Sequence, residues 1–261
     1  MKKLTFALGK YRFQIYDRPG CWMKKNELDR LQGRLTEVAE KRLKKAPTFS
    51  FFKDTRHLNN KLVIFSTDRK TGEDLCYCVM AYLGHYRKRS VLHLGAVYSV
   101  REDKGMMKLV YTLGLMHVFI KNWFFKRVYL TSLTHTPKIF GVVHESFEHV
   151  YPNHKEGGKP GRFHLNLKDI FFNTYLNEWD LEEKPAIDSN FVIKGFRRQQ
   201  DGSILYPDTT ETVPRHRKEK YNKRCIDLLN YEKGDEIFQA GLSYGFITIL
   251  KNTRVFNQVF G

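Results

Sequence analysis

The sequence predicts an α+β (mixed α/β) fold: a twisted, mixed sheet flanked by helices, followed by a C-terminal extension. Three observations carry this. Short runs of β-branched and aromatic residues recur between turn signals in the first 100 residues. One strand–helix–strand unit, Val91 to Ser132, calls for a parallel pair inside an otherwise antiparallel sheet. The chain also has enough apolar material for a packed core, with 41% hydrophobic and 14% aromatic residues.

The elements follow in order. Leu4–Leu8 and Tyr11–Tyr16 read as strands joined by a turn at Gly9-Lys10. From Asn26 to Lys45, Leu28, Leu31, Leu35, Val38, Ala39 and Leu43 recur at helical spacing. The basic run Lys41–Lys45 sits at the end of that helix, where cations suit the macrodipole, and Pro47 ends it. Leu62–Ser66, Leu75–Leu83 and Val91–Val100 read as three strands of a meander, connected by the turns DRKTGE and HYRKR. The apolar stretch Gly105–Phe125 is interrupted by Lys108, His117 and Lys121. A membrane span would need roughly 18 apolar residues without such interruptions, so the stretch reads as a buried helix.

Val128–Ser132 is then a buried strand. Thr136–Phe147 is a helix with Pro137 in its first turn, and Val150-Tyr151-Pro152 is extended. After Asn153 the composition shifts to a Gly/Lys/Pro loop. Two further helices are expected at Leu165–Leu181 and Cys225–Asn230, and a last strand at Tyr244–Leu250. Residues 1–153 are read as the core, and 154–261 as a region that completes the fold or shapes a substrate site.

Lys+Arg is 45 against 28 Asp+Glu, a net charge of +17, which attracts phosphates, nucleic acid, anionic lipid and acidic proteins alike. Four irregularly spaced cysteines give no disulfide framework and favour a reducing cytoplasm; the N-terminus has no apolar core of a signal peptide. Cys76 and Cys78 fall on one strand face, but a metal site would need two more ligands, so none is expected. In HESFEH, His144 and His149 are five residues apart, which on a helix turns them away from each other and excludes the two-histidine zinc motif. No Gly-x-Ser-x-Gly elbow and no P-loop lysine motif occurs.

The most informative stretch is Val91–Pro152. A strand ending in VYSV leads through REDKG into a helix, and a loop opening a helix presents peptide N–H groups at the positive end of the helix dipole. Gly105 lets an anion approach the backbone there. The order of elements, with VYLTSLTHTPKIFGVVHESFEHVYP as its last part, resembles the Gcn5-related N-acyltransferases, the GNAT superfamily, over residues 1–153. In that family one strand runs into a pyrophosphate-binding loop and helix, and the next strand splays away to leave a cleft for pantetheine.

The resemblance implies an N-acyltransferase that moves an acyl group from acyl-CoA or an acyl carrier protein to an amine acceptor. It places the donor on Val97, Ser99, Val100, Arg101, Glu102, Asp103, Lys104, Gly105 and Met106, with backbone groups at 97–100 polarising the thioester. The loop is degenerate, with Met107 in place of the second small residue, and Phe140 stands where the family's thiol-protonating tyrosine is found. His93 and His135 are the candidate bases, and Tyr98 and Tyr151 the candidate thiol acids. The alternative is a basic nucleic-acid-binding or anionic-membrane-binding protein without catalysis, in which Lys41–Lys45, Tyr86–Arg89 and Arg215–Arg224 contact phosphates. On the acyltransferase reading, the charge left over beyond the donor's phosphates predicts an acidic second partner. That partner would be a carrier protein or an anionic surface such as the inner membrane face.

Overall fold

The computed structural model describes residues 2–43, 47, 49–100, 105–122, 127–179, 185–198 and 202–245. One nine-stranded sheet organises them. Its strands are β1 (Lys3–Leu8), β2 (Tyr11–Asp17), β3 (Lys61–Asp68), β4 (Asp74–Tyr86), β5 (Arg89–Ser99), β6 (Arg127–Thr134), β7 (Glu148–Tyr151), β8 (Val192–Ile193) and β9 (Glu236–Tyr244). The order is β1-β2-β3-β4-β5-β6-β9-β7, with β8 also on β9. Every pairing is antiparallel except β5 with β6.

Alternation along the strands divides the core between two faces. Ile64, Cys78, Met80, Leu92 and Leu94 point to the face covered by α2 (Met106–Lys121), so both thiols of the C-x-C pair lie in that apolar cluster. Val63, Phe65, Tyr77 and Val79 point to the other face, where α1 (Lys25–Leu43) packs through Leu28, Leu31, Leu35 and Val38. Further along that face, α4 (Arg162–Thr174) lays Leu167 and Phe171 on Ala81, Val91 and Phe238. Together α3 (Pro137–Ser146) and α5 (Glu219–Leu228) close a smaller cluster around Phe140, Tyr221 and Cys225.

Two of the three polar side chains that interrupt the apolar helix α2 share a partner. His117 Nε2 and Lys121 Nζ both reach Asp17 Oδ2, buried at the end of β2. Burial alone would raise the Asp17 pKa, but these two hydrogen bonds hold it below its usual value. Among the described residues no helix is long and apolar enough to cross a membrane.

Three expectations are corrected. The last strand is β9 (Glu236–Tyr244), earlier than Tyr244–Leu250, whose residues 246–250 lie outside the described ones. Its segment EIFQAGLSY mixes buried polar and apolar residues because it is covered on both faces, so no alternation marks it. The helix placed at Leu165–Leu181 ends at Thr174 and is followed by a short 3-10 turn, Leu176–Trp179. The helix placed at Cys225–Asn230 starts at Glu219, inside the polar run, because only Tyr221, Asn222 and Cys225 need to face inward.

Candidate active site

The sheet opens where its parallel pair ends. β5 and β6 pair only from Val91 and Tyr129 to Leu94 and Ser132, although both strands continue. The cause is local. In the β4–β5 register Met80 faces Leu94 and Cys78 faces Val97, so Val79 stands opposite both Gly95 and Ala96. Such a bulge bends its strand and increases its twist, and it lies at the point where β5 leaves β6. Glycine is required at 95: a Cβ there would lie 2.5 Å from the Val79 carbonyl oxygen. Tyr111 of α2 fixes the bulge by donating to the Gly95 carbonyl at 2.6 Å.

Beyond the bulge, the Val100 N–H donates to the Leu75 carbonyl, towards β4. Backbone groups alternate sides along a strand. The peptide groups of Tyr98 and Val100 therefore face β4, and those of Val97 and Ser99 face the gap. Of the candidate donor-binding residues, Met106 is buried in the α2 cluster, Gly105 caps α2, and Arg101, Glu102, Asp103 and Lys104 lie outside the described residues.

A polar cluster stands at the mouth of this gap. His135 follows β6 directly, with Nε2 2.9 Å from Asp208 Oδ2 and Nδ1 3.4 Å from Glu236 Oε1. Tyr206 stacks on its ring, 5.8 Å between centroids and 17° between planes. The Tyr206 hydroxyl is hydrogen-bonded to that of Tyr98, so Tyr206 bridges β5 and the end of β6. Burial pushes the Tyr98 phenol up to about 12, against the lowering effect of the Tyr206 hydrogen bond. Tyr231 donates to the His135 carbonyl at 2.8 Å and fixes the backbone there. Arg197 lies under the cluster and donates from Nη1 to the carbonyl of Tyr206.

The other candidates are placed differently. His93 is 2% exposed, packed against Phe171 and Tyr175 at centroid distances of 4.9 and 4.3 Å, with Nδ1 3.0 Å from Thr131 Oγ1. Burial, helped by the charge of Lys61, lowers its pKa to about 3, so it is a neutral core side chain. Tyr151 donates to the Ser189 carbonyl at 2.6 Å, and burial raises its pKa. The pairings Tyr151–Ala240, Ala240–Thr131 and Thr131–His93 set Tyr151 three strands from His93. That is about 14 Å at the usual strand spacing, so the two do not meet. Phe140 is fully buried in the α3–α5 cluster. His144 has Nδ1 and Nε2 each 2.9 Å from a carbonyl oxygen, of Phe140 and Pro152, and the neutral ring donates to one of them, while His149 lies on β7.

Tyr206, Asp208, Arg197 and Glu236 had no sequence signal. The first three fall in a stretch without periodicity, and the fourth opens the unrecognised strand β9.

The elements follow the order that the resemblance to the Gcn5-related N-acyltransferases implies, including the strand that leads to the α2 helix and the neighbour that parts from it. No family model matches the sequence, and no curated protein matches it. Among solved structures, the chain is similar to the ribosomal-protein-S5-alanine acetyltransferase from Vibrio fischeri, at 13% identity over 49% of this chain and 73% of that one, TM-score 0.30. It is similar to a spermidine N-acetyltransferase from Vibrio cholerae at 12% identity, over 53% of this chain and 78% of that one, TM-score 0.33. It is also similar to a cAMP-binding acyltransferase from Mycobacterium smegmatis at 12% identity, over 49% of this chain and 38% of that one, TM-score 0.24.

Proposed function

We propose that the chain is an N-acyltransferase that takes its acyl group from a thioester lying in the gap between β5 and β6. The observation that carries this reading is the parting of the two parallel strands at the Gly95 bulge, which leaves the Val97 peptide facing away from β4, on the side where β6 no longer pairs with it. An extended pantetheine arm can lie along β5 there as a further strand would, and a peptide N–H aimed at the thioester oxygen stabilises the developing oxyanion.

In this reaction the amine nitrogen attacks the thioester carbonyl carbon, the C–N bond forms and the C–S bond breaks. The proton shed by the amine goes to the carboxylate of Asp208, which His135 orients through its Nε2 and which is 30% exposed and therefore reachable. From there it passes to the thiolate. A phenol held at about 12 is a weaker acid than a thiol near 8.5. Tyr98 therefore assists the departing sulfur with a hydrogen bond and does not surrender its proton. Of the sequence candidates, His135 and Tyr98 keep a role in this scheme, and His93 and Tyr151 support packing.

The donor is acyl-CoA or an acyl carrier protein. Part of the positive charge is already used locally, since Arg217 and Lys218 bind Glu145 at 3.1 and 2.7 Å. The exposed β4–β5 turn, with Arg87 and Lys88, remains for an acidic carrier protein or an anionic membrane face.

The test is calorimetric titration with CoA, combined with thiol release from acetyl- and longer-chain acyl-CoA in the presence of amines. We expect CoA to bind, and His135→Gln to lower turnover at least tenfold while leaving CoA affinity within about twofold. Absence of both CoA binding and thiol release across chain lengths overturns the reading.

A further inference from the structure

Arg197 is 3% exposed, yet its Nε and Nη2 atoms have no hydrogen-bond partner among the described residues. Only Nη1 is used, on the carbonyls of Leu205 and Tyr206. Burying a cation in this state is costly unless something completes it. Burial lowers its pKa, opposed by the charges of Glu236 and then Asp208, the same two carboxylates that flank His135. Each carboxylate spends one oxygen on His135 and has the other without a partner among the described residues. Incomplete groups of both signs thus meet behind the mouth of the gap: a guanidinium with two unpartnered nitrogens that are covered from solvent, and two carboxylate oxygens. They do so in a chain of net charge +17, which otherwise repels ammonium groups.

We infer that this cluster is the acceptor subsite and that the acceptor is zwitterionic, a small molecule carrying a carboxylate close to its amine, as an α-amino acid does. The carboxylate docks on Arg197, whose planar fork suits bidentate pairing in a way that a lysine does not. The ammonium docks on the remaining oxygens of Asp208 and Glu236, the two carboxylates that His135 holds in place, and sheds its proton to Asp208. A monoamine without a carboxylate leaves Arg197 incomplete, and the site discriminates against it by the cost of that unfilled group.

This inference rests on the acyl-transfer reading for its name as an acceptor site, but its test does not need a donor. Binding is measured by calorimetry without any thioester, using L-phenylalanine, L-leucine and L-lysine, each paired with its decarboxylated amine. At least one amino acid is expected to bind about tenfold or more tighter than its amine. Arg197→Gln and Arg197→Lys are expected to erase that preference. Asp208→Asn, at the exposed rim, is expected to weaken both members of the pair alike, which keeps the test informative should the Arg197 variants not fold. Equal affinity within every pair, or a preference that survives in the Arg197 variants, overturns the inference. So does failure of all six compounds to bind while thiol release proceeds with another amine, and the transfer reading then stands. Amino-acid binding without CoA binding or thiol release keeps the subsite and overturns the transfer reading.

Discussion

His93 offers a quantitative check on the packing beneath the gap. The ring is neutral in the folded protein, with its pKa lowered to about 3 by burial and by Lys61, whereas an unfolded histidine titrates near 6.5. The folded value lies below the unfolded one, so the unfolded chain takes up the proton first. Stability is therefore lost as pH falls from about 6.5 towards 3. Each pH unit in that window costs about 1.4 kcal/mol, and between pH 7.5 and 5 the loss attributable to this one ring is about 2 kcal/mol. His93→Asn keeps a polar atom near Thr131 Oγ1 but removes the titrating ring. It also removes the ring contacts with Phe171 and Tyr175, so it should be less stable at pH 7.5, by about 2–3 kcal/mol. Its disadvantage should shrink almost to nothing by pH 5. Urea unfolding of both proteins at pH 7.5, 6 and 5 reads this directly. Trp179, stacked on Phe49 at 3.8 Å, supplies a fluorescence signal. Parallel stability profiles for the two proteins would refute the claim that His93 is buried neutral.

Two further predictions concern the framework of the site. Lys61 is fully buried and makes two bonds of 2.7 and 2.6 Å to Glu178, which also accepts from Ser50 and Asn60. Lys61→Met alone strands a buried carboxylate and should cost about 3–5 kcal/mol, while the double variant Lys61→Met/Glu178→Leu should recover most of it in denaturant titrations. Gly95→Ala drives a Cβ to 2.5 Å from a backbone oxygen and must shift the bulge. It should lower stability by about 1–3 kcal/mol in thermal melts, and weaken CoA binding at least tenfold, because the direction of β5 beyond Leu94 depends on that bulge.

Much of the fold was legible because each early element carries its own periodic signature. Leu28, Leu31, Leu35 and Val38 mark one helix face whatever they pack against, and all four are buried as that spacing requires. The strand–helix–strand unit from Val91 to Ser132 allows only one kind of pairing for its two strands, and β5 and β6 are parallel. α2 was identified as a buried helix from its length and composition, but the partner of its embedded His117 and Lys121 was not, since Asp17 lies about 100 residues away.

The candidate site was half legible. His135 and Tyr98 could be named because they border strands with clear signatures. Their partners could not, because a loop side chain leaves no periodic trace, and Tyr206, Asp208 and Arg197 come from such a loop. β9 escaped notice for a related reason: covered on both faces, and inserted between β6 and β7, it needs no alternation of apolar and polar residues.

The sequence by itself determined the first three helices, the first six strands, the parallel pair and the net charge, all of which follow from local periodicity, connection length and composition. Tertiary structure alone decided which histidine stands at the gap and which is sealed in the core. His93 and His135 are alike as residues; Phe171 of α4 and Tyr175 just after it cover the first, while Glu236 of β9 and the loop residues Arg197, Tyr206 and Asp208 surround the second with carboxylates, a phenol and a guanidinium. Solvation and charge set what a histidine can do, and both are supplied by residues about 60 to 100 positions away along the chain.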